Sequence, residues 1–423
     1  MSVRPPGLLR IAIVPGGAIV GLVCLTLAFN LPGCLGPSAI VHTRTRYNEV
    51  YRSTNDEQIL LNIVRLRYAD SPVFVDLASV TSQFEWNGLG NYLGGIGNQF
   101  PGTASLGMGQ LGVRDTPTIS YHPRSGNEVA KALLTPLSAE LFSVVNAGAN
   151  IEQFLLMTVN DINDVPNSAR SINMLPRVAS DNIEFRHGIR LLEEMEERGM
   201  VELTVRELED PDGSDAIAKD NIRGADLVAA TKEHYVFRKQ GEDQMTIHKQ
   251  EKALVLRVRL DDVDSPEMHE FARIFRLKPG LPLYKIKSEL SGDHPRRKSI
   301  PENQDVQETI YVNMRSILQV SIFLSKGVCI PEEHVINGVA PMTTGPDGQP
   351  FDWMSVTDGL FRVCSQKHRP KDAEVAVEYR GYWFYVPRDD VQSRASMAIL
   401  EILFTVQESE GKAAGPLLSI PLN

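Results

Sequence analysis

Nineteen consecutive residues near the start of the chain, Ile11 to Phe29 (IAIVPGGAIVGLVCLTLAF), carry no charge. A run that apolar cannot lie on a wetted surface, so it either directs export and is removed or stays in lipid. The preceding MSVRPPGLLR supplies Arg4 and Arg10 with no acid. A basic start followed by an apolar stretch is the plan of a secretory signal, its positive end held on the cytoplasmic side. The rest of the chain is therefore expected to fold on the far side of a membrane.

Leu31 to Cys34, LPGC, follow that run. They resemble the bacterial lipobox, an aliphatic residue three positions before a cysteine and a small residue directly before it. In lipobox proteins the cysteine sulfur receives a diacylglycerol, acyl chains such as palmitate complete the anchor, and cleavage makes that cysteine the N-terminus. The resemblance implies that Cys34 is the lipid attachment site and that residues 1–33 are a signal peptide. Under the sorting rule of such proteins, Leu35 in place of an inner-membrane retention aspartate implies the outer membrane, facing the periplasm. Two features depart from the pattern: Pro32 stands where small residues are usual, and the apolar run exceeds the usual ~7–15 residues. An uncleaved inner-membrane anchor holding a periplasmic body is the alternative. Two or three acyl chains would hold the body firmly at a membrane surface.

The 423 residues, 42% apolar and 23% charged, have the makeup of a folded protein of two or three domains. A formal charge of −10 and a pI near 5.5 argue against broad electrostatic binding to nucleic acid or anionic lipid. Of four cysteines, Cys24 lies in the apolar run and Cys34 in the lipobox, which leaves Cys329 and Cys364. In an oxidising compartment this even pair suits a disulfide closing a loop of about 35 residues, worth roughly 3 kcal/mol. Two buried, unlinked thiols are the other reading.

Thr54 and Glu57 form a capping-box pattern ahead of Ile59, Leu60, Ile63 and Val64, so a helix is expected over Ser53 to Tyr68. VFVDLASVTSQFEW, from Val73, reads as a strand with Val75, Leu77 and Ser79 on one side, and TPTISYHP, from Thr116, as a second. Helices follow, with Leu133, Leu134, Leu137, Leu141 and Val144 expected inward, then one through Phe154, Leu155 and Val159. DNIEFRHGIRLLEEMEERGM predicts a helix with Ile183, Ile189, Leu191, Leu192 and Met195 apolar and Glu193, Glu194, Glu196 and Glu197 as its solvated face. VELTVRELE, ALVLRVRLDDV and PLYKIK read as strands, with a helix starting at Ser265 and Pro266 between the last two. Thr309 to Pro331 is apolar nearly all round and predicts one buried helix, within which Arg315 needs a carboxylate or a route to water. AEVAVEYRGYWFYVP predicts a hairpin, Glu374–Tyr379 with Tyr382–Val386, turning at Arg380-Gly381. A helix and a terminal strand, LLSIPL, follow it.

The expected class is α+β: an N-terminal strand-and-helix region with a Gly-rich loop, a helical middle, and a C-terminal mixed sheet with packed helices. By boundaries, this is a signal peptide 1–33, a tether 34–45, an N-terminal region 46–125 with a Gly-rich insertion 87–113, and a helical region 126–200. An α/β region 201–290, a polar loop 291–308 and a C-terminal α+β region 309–423 complete it.

Asn87 to Val113 holds nine glycines in 27 residues. Its GxGxxxG spacing precedes no helix and no lysine, which argues against a phosphate loop. It reads as a long loop between strands. A second reading notes Leu89, Leu93, Ile96 and Phe100 among small residues, with no charge before Arg114. That pattern suits a hairpin entering a membrane as part of an oligomeric barrel.

No HExxH, HxxxH, GxSxG, CxxC or Walker lysine occurs, so no catalytic residue, metal ligand or cofactor is expected. DPDGSD, Asp210 to Asp215, lacks the ligand order of a calcium loop and reads as a turn; HPRRK, His294 to Lys298, reads as part of a solvated loop. LLNIVRLRY, PTISYHP with LLTP, and VAVEYRGYWFY resemble segments of a family of uncharacterised envelope lipoproteins from Gram-negative and related bacteria. The resemblance covers most of the mature chain and implies a location, with no activity, cofactor or site residue attached. The expected function is a non-enzymatic structural or interaction role, with the membrane (through the lipid) and envelope proteins as partners and no nucleic acid. The alternatives are a subunit of an oligomeric outer-membrane channel using residues 88–113, and a periplasmic hydrolase or glycan-binding protein with a site assembled from distant residues. The oligomeric state is left open.

Overall fold

A computed structural model describes residues 35–89, 110–123, 127–146, 148–168, 182–209, 217–218, 224–240, 244–288, 308–345 and 347–409. The chain divides into two compact units, Met1–Glu57 and Gln58–Asn423. Ile11–Phe29, Cys34, the middle of the Gly-rich segment, Asp210–Asp215, His294–Lys298 and the LLSIPL strand lie outside the described residues. Among those described, no helix is long and apolar enough to cross a membrane.

Helix α1 spans Leu35–Arg67, so the expected tether is helical from Leu35 onward. No Gly or Pro interrupts Ser38 to Ser53, and a helix once nucleated propagates through such a run. Thr54 is therefore mid-helix and caps nothing. Its Oγ1 donates back to the carbonyls of Val50 (2.9 Å) and Tyr51 (3.0 Å).

In the second unit Ile59, Leu60, Ile63 and Val64 are buried, as their spacing requires. Strands β1 (Val75–Leu89) and β2 (Gln110–Pro123) form an antiparallel sheet of their own. Helices α2 (Asn127–Leu134), α3 (Ser143–Asn146) and α4 (Ile151–Thr158) follow. Leu137 and Leu141 are buried, but Leu134, at the end of α2, is exposed. Helix α4 stops one residue before the β-branched Val159, which opens β3 (Val159–Ile162). Asn163 and Asp164, both at positive φ, turn the chain into β4 (Val165–Pro166).

Helix α5 (Ile183–Glu197) buries Phe185, Ile189, Leu192 and Met195, while Ile183 on its first turn is exposed. Next come β5 (Val201–Glu209), β6 (Ile217–Ala218), α6 (Gly224–Lys232), β7 (Tyr235–Gln240) and β8 (Gln244–Val258). Ser265 caps α7 (Pro266–Ile274), its hydroxyl accepting from Met268 N at 3.2 Å. Strands β9 (Leu283–Ser288) and β10 (Thr309–Met314) complete the main sheet, ordered β4-β3-β10-β9-β8-β5, with β6 and β7 paired to the first half of β8. Only β9 and β10 run parallel within it.

The single helix expected over Thr309 to Pro331 is instead strand β10 followed by α8 (Ile317–Ser325). TIYVNM alternates, burying Ile310, Val312 and Met314, while Ser316 builds a capping box with Gln319 that starts the helix (3.3 and 2.8 Å). Short helices α9 (Glu332–Ile336) and α10 (Met354–Thr357) lead to a second sheet: β11 (Cys364–Gln366), β12 (Ala373–Tyr379) and β13 (Tyr382–Pro387), ordered β11-β13-β12. Arg380 and Gly381, at φ 49° and 80°, make the expected two-residue turn. Helix α11 (Val391–Ser409) closes the described chain. One hydrophobic core joins Leu60 of α1, Phe154 of α4, Phe185 of α5, Phe323 of α8, Phe384 of β13 and Leu400 of α11.

Candidate functional site

The base of the β1–β2 ribbon is clamped to the end of α1. Asn62 donates to Val73 O (2.8 Å) and accepts from Val73 N (2.9 Å), and Gln58 Oε1 accepts from Val75 N (2.7 Å). Phe74 is buried against Phe404 of α11, ring centroids 5.2 Å apart. From there fourteen register pairs run from Val75↔Pro123 to Leu89↔Gln110, carrying both strands into the ends of the Gly-rich segment.

The register shifts between Leu77 and Ser79, leaving Ala78 as a bulge. Ser79 thereby moves to the face opposite Leu77, which corrects the shared face expected for Val75, Leu77 and Ser79. The bulge puts Val80 in phase with Leu77. One face of the ribbon then holds positions Val75, Leu77, Val80, Ser82, Phe84, Trp86 and Gly88, opposite Pro123, Tyr121, Ile119, Pro117, Asp115, Val113 and Leu111. The other holds Asp76, Ser79, Thr81, Gln83, Glu85, Asn87 and Leu89, opposite His122, Ser120, Thr118, Thr116, Arg114, Gly112 and Gln110. The first is apolar apart from Ser82 and Asp115, and the second is polar apart from Gly112 and, at its far end, Leu89. Among the described residues neither strand pairs with any strand but its ribbon partner.

Arg315 is fully buried at the junction of β10 and α8. Its guanidinium donates to the carbonyls of Leu156 (2.7 Å), Met157 (2.8 Å) and Asn167 (2.7 Å) and to Asn160 Oδ1 (3.2 Å), and lies 4.1 Å from the Phe323 ring centroid. Burial pushes it down to about 9, with Asp161 opposing. Backbone carbonyls at the α4–β3 junction take the place of the expected carboxylate partner or water route. This is a structural site.

A pocket of about 330 Å³ opens between the start of α4, one face of α5, the 358–360 turn and the start of α11. Asn150 caps α4, accepting from Gln153 N (2.7 Å), and donates to Glu193. Burial holds the Glu193 carboxyl above the usual range against the Asn150 donation, and Glu152, hydrogen-bonded to it, adds to the rise. Glu193 thus departs from the solvated face expected of it, because the N-terminus of α4 covers it. Glu152 pairs with Arg190 (3.1 Å), and Arg186 donates to Asp358 O (3.1 Å) and Val356 O (2.5 Å).

The aromatic hairpin packs against the end of α1 and against α9. Tyr68 lies 2.6 Å from His334 Nδ1, Tyr379 donates to Asp70, and Tyr382 donates to Glu333 (2.7 Å). Burial pushes Tyr68 up to about 12, so the phenol keeps its proton. Phe384 is fully buried and Tyr379, Tyr382, Trp383 and Tyr385 are half-buried. Cys329 and Cys364 are half-buried free thiols. Among the described residues no group of three His, Cys, Asp or Glu is placed to hold a metal ion.

Compared with protein-family models, curated proteins and solved structures, the chain matches none.

Proposed function

We propose that the protein is a lipid-anchored envelope protein that acts by association rather than catalysis. Copies anchored at Cys34 pair their β1–β2 ribbons edge to edge into a β-barrel channel of the outer membrane. What supports this reading is the register of the ribbon, an apolar face and a polar face kept in phase by the Ala78 bulge. That alternation is the pattern of a barrel strand between lipid and lumen. A hairpin standing alone is marginal in water, and each of its edges offers a row of unpaired N–H and C=O groups. Pairing with neighbouring copies satisfies both edges, and closure is the only way to do so in lipid. Arms of 15 and 14 residues exceed the ~9–11 that a tilted strand needs to cross. A barrel of ~8–18 strands corresponds to roughly four to nine copies.

The test is particle size and conductance of the full chain taken from membranes in mild detergent. A ring that conducts in planar bilayers is expected, with conductance lost when residues 88–112 are deleted. The faces give the sharper comparison. Phe84→Lys places a charge on the apolar face and is expected to abolish the ring, at a cost of ~2–4 kcal/mol per copy near the membrane midplane. Gln83→Lys on the polar face is expected to leave the ring intact and alter ion selectivity. A wild-type monomer, or equal effects of the two lysines, would sink the proposal.

A further inference from the structure

We propose that Cys329 and Cys364 are a redox pair, closed by thiol–disulfide exchange into an intramolecular disulfide that clasps the segment between them. The backbone sets the pairing. Val328 and Val363 form a parallel bridge, with Cys329 N donating to Val363 O (2.9 Å) and Val363 N to Gly327 O (3.0 Å). The bridge is isolated, and the same register carried one residue further brings Cys329 and Cys364 side by side, where the spacing of ladder neighbours is ~4.8 Å. That lies inside the ~4.4–6.8 Å between Cα atoms that a disulfide accepts. Val328 and Val363 are buried in the core, so alternation puts both cysteines on the other, half-exposed side. The segments approach this closely because residue 327 is glycine: a Cβ there would stand 2.2 Å from the Phe361 carbonyl oxygen.

A third group completes the site. Arg362 precedes Cys364 by two residues on the same side, and its guanidinium interacts electrostatically with both sulfurs. Burial raises the Cys364 thiol, and the guanidinium opposes that rise. A cation in this position favours the thiolate, the form that attacks a disulfide.

The oxidant is a disulfide donor, a protein or small-molecule dithiol in its oxidised form. A thiolate of the pair attacks one donor sulfur, giving a mixed disulfide and one donor thiolate. The second thiolate attacks the protein sulfur of that bond, forming the Cys329–Cys364 S–S bond and releasing the second donor thiolate. Two electrons pass from the pair to the donor, and the two thiol protons go to the donor thiolates.

Where this happens in the cell rests on the export reading, whereas the geometry does not. The purified full chain is therefore equilibrated with oxidised and reduced glutathione, alkylated, and read by peptide mass. The expected product is the linked Cys329 and Cys364 peptides, with closure slowed several-fold in Arg362→Gln. Stable glutathione adducts on both cysteines, a cross-link between chains, or two alkylated thiols under oxidising glutathione would overturn the inference. A pair that closes in glutathione but is reduced in freshly quenched cells supports the clasp and counts against export instead.

Discussion

An Arg315→Ala chain is expected to lose about 3–5 kcal/mol of stability and most of its soluble yield. The guanidinium fills a junction where three backbone carbonyls and an asparagine oxygen converge with no water reaching them. Each acceptor left unsatisfied costs about 1–3 kcal/mol, and the vacated volume adds a cavity beside Phe323. The carbonyls of Leu156 and Met157 close α4, and the Asn167 carbonyl lies just past β4, so the loss spreads to the edge of the main sheet. Neighbouring asparagines extend the same network: Asn167 donates to the Leu156 and Val159 carbonyls, both at 2.9 Å. Arg315→Lys, with three donors at one nitrogen in place of a planar fork, is expected to recover only part of the loss. Denaturant unfolding of the three chains measures this. An alanine variant within about 1 kcal/mol of wild type would mean that these carbonyls find other donors.

Much of the fold was legible where one period or one local signal dominated. Ser265-Pro266 starts α7, Arg380-Gly381 turns the last hairpin, and Ile59, Leu60, Ile63 and Val64 line the buried side of α1. Legibility failed where two periods fit equally well. Thr309 to Met314 is apolar enough on every side to pass for helix, and only its β-branched alternation before Ser316 marks a strand. The bulge at Ala78 left a trace that was missed. Val75 and Leu77 are out of phase with Val80, Phe84 and Trp86, and a one-residue phase jump within a strand is the mark of a bulge. Without it the polar and apolar faces of the ribbon are scrambled. The pocket around Glu193 left no local trace, because the residue that covers it, Asn150, belongs to another helix. The same holds for Lys326. At the end of an apolar helix a lysine reads as a solvated cation suited to the dipole, and only tertiary packing buries it.

That lysine carries the second large effect, a stability that climbs with pH. Lys326 is 2% exposed, its ammonium 5.3 Å from the centre of the Trp353 ring. Burial, then the nearby charge of Arg67, pushes it down to about 7. An unfolded chain holds this proton up to about 10.4. Between those two values the unfolded state binds more protons than the folded one, so stability rises as pH goes from 7 towards 10. Below pH 7 both states are protonated and the full penalty of a buried ammonium applies. Lys326→Met keeps the length of the stem and removes the charge, and replacing a buried ion by an apolar isostere stabilises by about 1–4 kcal/mol. The variant is therefore expected to melt above wild type at pH 6 to 7, with the gap narrowing steadily towards pH 10. Taking the difference between the two chains removes the titrating groups that do not interact with Lys326, whereas Arg67, whose charge lowers it, stays in the comparison. A gap that stays constant from pH 6 to 10 would mean that Lys326 keeps its ordinary proton affinity in the folded chain. A methionine variant that melts below wild type at pH 6 would mean that the ammonium over Trp353 stabilises the fold by more than its burial costs.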